Sequence, residues 1–230
     1  MDFARFTLAA STATLGDEPA ARAFADCLEY RMDLATTPLS ALKAYDGKLP
    51  LIVTNRSRRE GGAADPDDRI ERLEAAIDLD SVEAVDVELA AVRSGEAGSL
   101  IDAASDRDVA LIVSAHDVDG TPPEPELLET LRAAASIGDV AKLATTARSP
   151  ADALALLVAT ERASREGLTV ATMAMGEVGR HTRAVAPAYG SKVGYAPMDV
   201  DEATAPGQYD LETLASLVES LQSVDGGGSS

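Results

Sequence analysis

The chain has 230 residues and a formal net charge of −19, with 39 acidic side chains against 20 basic ones. Such a charge repels phosphate backbones and anionic lipids, so neither nucleic acid nor a membrane is an expected partner. One cysteine excludes a disulfide framework within the chain, and no run of about 18 apolar residues could span a bilayer. No signal segment opens the sequence, which together with the cysteine count favours a cytoplasmic location.

The acidity has a particular composition. Only four of the 20 basic residues are lysines, aromatic residues make up 3% of the chain, and tryptophan is absent. A hydrated carboxylate surface keeps a protein soluble when salt screens charge strongly, so this composition indicates a halophilic protein of a salt-loving organism. An ordinary acidic protein encoded by a GC-rich genome is the alternative, and composition leaves it open.

Eight short runs rich in apolar and β-branched residues follow one another along the chain. As predicted strands they cover residues 6–12, 28–34, 51–56, 82–89, 109–117, 140–147, 169–176 and 191–198. Segments with helical apolar spacing lie between several of them, at 66–77, 125–135 and 150–163, with a weaker one at 95–104, and a final helical segment follows the last strand at 211–221.

Strands that alternate with helices in this way pair in parallel through helical crossovers. Eight such units fit a closed barrel better than an open doubly wound sheet, which usually has about five or six strands. The glycine-rich fingerprint of a dinucleotide-binding fold is absent after the first strand. The sequence therefore predicts one α/β domain, a (β/α)₈ TIM barrel over residues 1–225, with a flexible Gly/Ser tail at 226–230.

In such a barrel the reacting groups lie at the C-terminal ends of the strands. Ionisable residues at these ends or in the loops beyond are Glu29, Arg31, Arg56, Glu60, Asp86, Glu88, His116, Asp117, Lys142 and Arg183. So many charges at one mouth are costly to bury unless they pair with one another or with a charged ligand. The energetic argument alone predicts a site at this end.

Lys142 stands inside a predicted strand, between apolar neighbours. Partial desolvation and neighbouring arginines would favour its free amine, and a free amine that faces a carbonyl group forms a Schiff base. A structural ion pair, with Glu88 as the partner, is the alternative.

The two histidines differ as candidates for a catalytic role. His116 ends the fifth predicted strand, where it either exchanges protons near pH 7 or only hydrogen-bonds backbone carbonyl groups. His181 is more simply interpreted as a solvated residue at a helix start. Arg31, Arg56 and Arg183 either clamp a carboxylate or only neutralise neighbouring acids.

Nine short motifs occur in order along nearly the whole chain. They are E-x-R-x-D at 29–33, R-x-x-x-E-G-G at 56–62, V-D-V-E-L at 85–89, S-x-H-D at 114–117, D-V-A-K-L-A at 139–144, M-G at 175–176, T-R at 182–183, Y-G-S at 189–191 and A-P-G-Q at 205–208. In this order and spacing they resemble type I 3-dehydroquinate dehydratase, the Schiff-base lyase family of the shikimate pathway. The resemblance implies a lyase without a cofactor that converts 3-dehydroquinate, a small anion, to 3-dehydroshikimate.

The resemblance also implies roles for the matched residues. Lys142 would form the Schiff base at the C3 ketone, His116 would carry the proton from C2 to the departing C1 hydroxyl, and Glu60 would orient that histidine. Substrate-binding positions implied in the same way are Ser11, Glu29, Tyr30, Arg31, Arg56, Arg183, Thr204 and Gln208, with Arg183 on the substrate carboxylate and Gln208 in a lid. A one-residue shift in the first strand would turn Ser11 to the other face.

Two other functions stay open at this point. A class I aldolase-like barrel would cleave a carbon–carbon bond with the same lysine, but it would need neither the His116–Glu60 pair nor the A-P-G-Q segment. A catalytically inactive barrel that acts as a binding or scaffold protein is the second, although Lys142 and His116 are both present. Members of the family are often homodimers, and no apolar stripe in the sequence demands one.

Overall fold

Eight parallel strands form the interior of the computed structural model, which describes residues 1–199, 201 and 205–222. The strands are β1 (Thr7–Thr12), β2 (Cys27–Arg31), β3 (Leu51–Thr54), β4 (Val82–Glu88), β5 (Ala110–Asp117), β6 (Val140–Thr146), β7 (Val170–Met175) and β8 (Val193–Pro197). Consecutive strands pair from β1 to β7, and β8 pairs with β1. Each observed strand overlaps a predicted one, and the predicted α/β barrel is confirmed.

The barrel is nearly closed at the seam between β7 and β8. There the backbone N–H of Lys192 donates to the carbonyl oxygen of Val170 at 2.7 Å, and Ser191 forms an isolated parallel bridge with the same residue. A doubly wound sheet would leave its two outer strands apart, so this contact rules out the open architecture.

Helices cover the outside of the strands. They are α1 (Glu18–Ala21), α2 (Pro38–Lys43), α3 (Arg69–Ala76), α4 (Leu89–Ser94), α5 (Gly98–Asp106), α6 (Glu124–Ala135), α7 (Pro150–Arg165), α8 (Thr182–Val185) and α9 (Leu211–Gln222). The sequence determines where α7 begins. Ser149 and Asp152 accept each other's backbone N–H groups in a capping box, and Pro150 occupies the first turn.

The structure confirms one weakly predicted helix and shortens another. The weak segment at 95–104 is helical, as α5. The helix predicted over 66–77 begins only at Arg69. Its expected first turn is lost because the Asp65 side chain accepts the backbone N–H of Asp67 at 3.2 Å, which favours a turn instead.

The alternation of side chains along each strand divides the core into two layers. Small and branched residues such as Ala84 and Ile112 fill the barrel, whereas Leu28, Val53 and Leu156 pack between the strands and the helices. Towards the C-terminal strand ends the inward positions become charged. The fold therefore places its buried ionisable groups together at the C-terminal end of the barrel.

Among the described residues, no helix is long and apolar enough to cross a membrane. The predicted tail at 226–230 and the predicted site residue Thr204 lie outside the described residues. The extent of the domain to residue 225 stays a prediction.

Candidate active site

A cavity of about 420 Å³ opens at the C-terminal ends of the strands. Nine predicted residues line it, namely Ser11, Glu29, Arg31, Arg56, Glu60, His116, Lys142, Arg183 and Gln208. They come from β1, β2, β5 and β6 and from the segments after β3, β7 and β8. The barrel thus brings together residues that are far apart in the sequence, at the face where this fold places its catalytic groups.

The amine of Lys142 is buried and held on several sides. Its Nζ lies 2.9 Å from Asp86 Oδ2 and 3.2 Å from Glu29 Oε1, and the centre of the Tyr195 ring is 3.8 Å away. An ion pair is therefore present, but its partners are not the one named from the sequence. Glu88 is turned towards arginine side chains instead.

Glu29 is fixed by its own neighbours before it meets the amine. Ser11 Oγ donates to its Oε2 at 2.5 Å and Thr54 Oγ1 to its Oε1 at 3.0 Å. Ser11 lies opposite Glu29 in the β1–β2 register and lines the cavity, so its inward orientation is settled. Burial acts to raise the pKa of Glu29, but Lys142 and Arg31 outweigh it and lower the pKa below its ordinary value. Glu29 is an anion in this site.

Arg56 is the centre of a second buried set of contacts. Its guanidinium donates to Asp86 Oδ1 at 2.6 Å and to Ser114 Oγ at 2.7 Å, and it lies 3.2 Å from Glu88 Oε1. Glu88 also pairs with Arg69, which reaches in from α3. Burial acts to raise the pKa of Asp86, but Arg56 and the lysine amine hold it well below its usual range. The network keeps a carboxylate ionised beside the amine.

His116 and Glu60 form a dyad at the rim of the same cavity. Nδ1 of His116 lies 2.8 Å from Glu60 Oε2, and a proton on Nδ1 leaves the lone pair of Nε2 free to accept another. Burial raises the pKa of Glu60 to about 7, against the opposing effect of Arg56. Burial, Arg56 and Lys142 lower the pKa of His116 well below its ordinary value, so the imidazole is neutral at pH 7.

Two arginines at the mouth differ in how they are paired. Arg31 forms a bidentate pair with Asp33, at 2.8 and 2.6 Å. Arg183, in α8, is buried and lines the cavity, yet among the described residues it has no ion pair and its Nε has no hydrogen-bond partner. Burial lowers its pKa to about 10. The Glu29 carboxylate opposes this effect more weakly and forms no ion pair with Arg183. A buried cation without an ion pair favours an anionic ligand.

The cavity therefore combines three chemical capacities. It holds an amine that can attack a carbonyl carbon, a neutral imidazole that can move a proton, and a guanidinium that can bind a carboxylate. Within the ranges that the structure describes, no three His, Cys, Asp or Glu side chains are placed to hold a metal ion. The arrangement suits a small keto acid that loses a proton next to its ketone.

A family model described as type I 3-dehydroquinase matches residues 7–225. A match over almost the whole chain decides the family. The chain belongs to the type I 3-dehydroquinase family. The resemblance carried by the nine motifs is thereby confirmed, and with it the enzyme class, 3-dehydroquinate dehydratase of the shikimate pathway.

Individual relatives agree with the family assignment. The 3-dehydroquinate dehydratase of Haloarcula marismortui is 55% identical over 227 residues, which is 97% of this chain and 99% of that protein. The same enzyme of Halobacterium salinarum is 50% identical over 226 residues, covering 96% and 100%. Both come from halophilic archaea, in agreement with the acidic composition. The crystal structure of 3-dehydroquinate dehydratase from Geobacillus kaustophilus HTA426 matches with a TM-score of 0.85 at 30% identity, over 96% of this chain and 93% of that chain.

One predicted site residue of this enzyme is not at the cavity. Tyr30 lies between Glu29 and Arg31 in β2, and successive residues of a strand face opposite sides. Its side chain is therefore buried in the outer core, where its hydroxyl donates to the carbonyl oxygen of Pro38 at 3.5 Å. The prediction that Tyr30 binds substrate is corrected accordingly. His181 is exposed, as its solvated interpretation requires.

Other residues of the site were not predicted from the sequence. Tyr195, Met173 and Met175 line the cavity. Strand parity could have found them, because each stands at an inward position of β7 or β8 close to the C-terminal end. Arg69 carries no comparable signal, since it begins a helix on the outside of the barrel and reaches the site only through Glu88.

Proposed function

We propose that the enzyme dehydrates 3-dehydroquinate through a covalent imine on Lys142. The observation that carries this proposal is the buried amine that lines the cavity between the carboxylates of Asp86 and Glu29. These carboxylates fix the position of Nζ, and they are the acceptors within hydrogen-bond reach when the amine gives up a proton. The amine then attacks the C3 ketone, water leaves, and a positively charged iminium forms.

His116 is the residue that we assign to proton transfer. The iminium withdraws electrons and acidifies the C2–H bond, and the neutral imidazole removes that proton to give an enamine. The enamine electrons expel the C1 hydroxyl, which takes the proton back from His116 and leaves as water. Hydrolysis of the remaining iminium releases 3-dehydroshikimate and the free amine, so that one water is lost overall. Glu60 orients the imidazole throughout, through its contact with Nδ1.

Arg183 supplies the binding site for the substrate carboxylate. Its support is that the buried guanidinium forms no ion pair with any described residue. Gln208 lies in the segment after β8, and the backbone N–H of Gly176 donates to the carbonyl of Pro206 in that segment at 3.0 Å. We assign this segment to the lid, which excludes water from the imine. Thr204 stays a prediction.

Reduction with sodium borohydride tests the proposal. Borohydride reduces an imine to a stable amine, so wild-type protein incubated with 3-dehydroquinate should gain the mass of the reduced ligand. Lys142→Ala should gain none. Lys43→Ala, at an exposed lysine of α2, is the matched control and should behave as wild type. An inactive scaffold barrel predicts no adduct in any of the three proteins, and that result would overturn the proposal.

Several features of the wider function rest on composition or on the family resemblance and stay predictions. They are a cytoplasmic location, chemistry without a cofactor, the absence of nucleic acid and membrane partners, and a homodimer.

A further inference from the structure

The ring of Tyr195 is the third neighbour of the reactive amine, and neither the sequence motifs nor the mechanism above uses it. Tyr195 pairs with Ala9 across the β1–β8 ladder and is buried in the barrel interior. Its ring centre lies 3.8 Å from Lys142 Nζ. This distance is well inside the range of about 6 Å over which an aromatic face attracts a cation.

The other two contacts of Nζ depend on its hydrogen atoms. A lysine ammonium has three N–H donors, and here two of them serve Asp86 and Glu29. The iminium formed with a ketone has a single N–H, so it cannot satisfy both carboxylates in the same way. An aromatic face needs no hydrogen atom, because it attracts positive charge through its quadrupole. The Tyr195 contact is thus the one that imine formation leaves intact.

On the basis of the imine proposed above, we infer that Tyr195 is a catalytic residue whose ring face stabilises the Lys142 iminium. The ring touches the reacting nitrogen atom, and burial excludes the water that would otherwise weaken the attraction. The contact acts on the two iminium stages of the covalent intermediate, before and after the neutral enamine, because the nitrogen is positively charged in those stages only.

The hydroxyl group of Tyr195 is separable from this role. Burial, together with Glu29 and Asp86, holds the pKa of the phenol well above its ordinary value, so the ring is uncharged. Among the described residues the hydroxyl has no hydrogen-bond partner. Tyr195→Phe therefore keeps the aromatic face and removes only a polar group without a partner, which makes it the matched control.

The experiment compares Tyr195→Leu with Tyr195→Phe by borohydride trapping. The measured quantity is the 3-dehydroquinate concentration at which half of the protein is trapped. The ring also attracts the ammonium of the free protein, but that ammonium keeps two carboxylate contacts that the iminium cannot keep, so only part of one cation–π contact is measured. We therefore expect Tyr195→Phe to stay within about twofold of wild type and Tyr195→Leu to need about fivefold more ligand. Equal half-trapping concentrations in the Leu and Phe variants would overturn the inference. Tyr195→Met, whose flexible side chain fills irregular space, replaces the Leu variant if that protein does not fold.

A second comparison separates charge stabilisation from packing. In the Lys142→Ala background no imine can form, so Tyr195→Leu should change the noncovalent affinity for 3-dehydroquinate by less than about twofold. If Tyr195 only shaped the cavity, the Leu variant would weaken binding equally in both backgrounds, and the inference would be wrong. If wild-type protein forms no adduct at all, the imine proposal itself fails. If wild-type protein forms the adduct and Tyr195→Leu forms it at the same ligand concentration, the imine proposal stands and only the role of Tyr195 is contradicted.

Discussion

The two sides of the barrel mouth treat their buried cations in opposite ways. On the side of β2 to β6, Lys142 and Arg56 each meet carboxylates at hydrogen-bonding distance. On the side of β7 and β8, Arg183 is equally buried and forms no ion pair with any described residue. Buried charges are tolerated when they are paired, so the second arrangement is the costly one.

In the proposed mechanism, the paired side of the mouth carries the covalent and proton chemistry, and the side of Arg183 binds the substrate. The paired side holds its reactive groups in place without a ligand, as preorganised catalysis requires. In the proposed mechanism the substrate completes the other side, because its carboxylate would form the ion pair that Arg183 lacks. The net charge of −19 repels an anion overall, so the attraction must come from the local cations of the mouth.

The largest expected effect is a loss of kcat on the paired side, with substrate binding unchanged. His116→Ala should lower kcat by about a hundredfold to ten-thousandfold, because it removes the general acid and base. KM should change little, since the imidazole does not hold the substrate carboxylate. Steady-state kinetics measure both constants, and an unchanged kcat would refute the role of His116.

The next effect comes from a comparison of Arg183, which has no ion pair, with Arg31, which is paired with Asp33. Arg183→Met should lower kcat/KM for 3-dehydroquinate by about a hundredfold, mainly through KM, because a charged bidentate contact is lost. The free protein should be as stable as wild type or more stable, since a buried cation without a partner is removed.

Arg31→Met is the counterpart on the paired side. It leaves the Asp33 carboxylate, whose side chain is 0% exposed, without its cation. The free energy of unfolding should therefore fall by about 2–4 kcal/mol, as measured by urea denaturation. Equal stability losses in Arg31→Met and Arg183→Met would contradict the distinction between the two sides.

A smaller effect concerns the pH dependence of the dyad. Glu60 has a pKa raised to about 7, so lowering the pH from 8 to 6 protonates it and should reduce kcat about tenfold. The pKa of His116 is lowered, so His116 is not the group that titrates in this range. Glu60→Gln should have a lower kcat and a flat profile between pH 6 and pH 8. An unchanged acid limb in this variant would show that another group titrates.

The smallest effect at the site is that of salt. Screening by KCl acts on exposed charges and much less on buried pairs. Raising KCl should therefore increase the unfolding temperature through the acidic surface, while the half-trapping concentration of 3-dehydroquinate changes by no more than a few fold. An unfolding temperature that is flat against KCl would contradict the halophilic interpretation of the composition.

Much of this architecture could be predicted from the sequence, for identifiable physical reasons. The strands are short apolar runs between helical segments, and a parallel barrel sends their C-terminal ends to one place, so His116, Lys142 and Glu29 could be expected together. Tyr30 is the exception among the predicted residues, because strand parity turns it outwards between two neighbours that face the cavity.

The partners of the charged groups could not be predicted in the same way. Lys142 lies opposite Ser114 in the β5–β6 register, yet its amine reaches across the barrel to Asp86 and Glu29. Glu88 is drawn away by Arg69 from a helix outside the barrel. Such pairings depend on the side-chain rotamers and the curvature of the closed sheet, which short sequence motifs do not encode.

The most direct test of the central claim is to locate the reduced adduct in the His116→Ala protein. Borohydride treatment with 3-dehydroquinate, followed by trypsin and mass analysis, should give the ligand mass on residues 133–148, left uncut at the modified Lys142. The account predicts this adduct even though turnover is lost, because the lysine and the histidine carry separate steps. No adduct, or an adduct on another lysine, would contradict it.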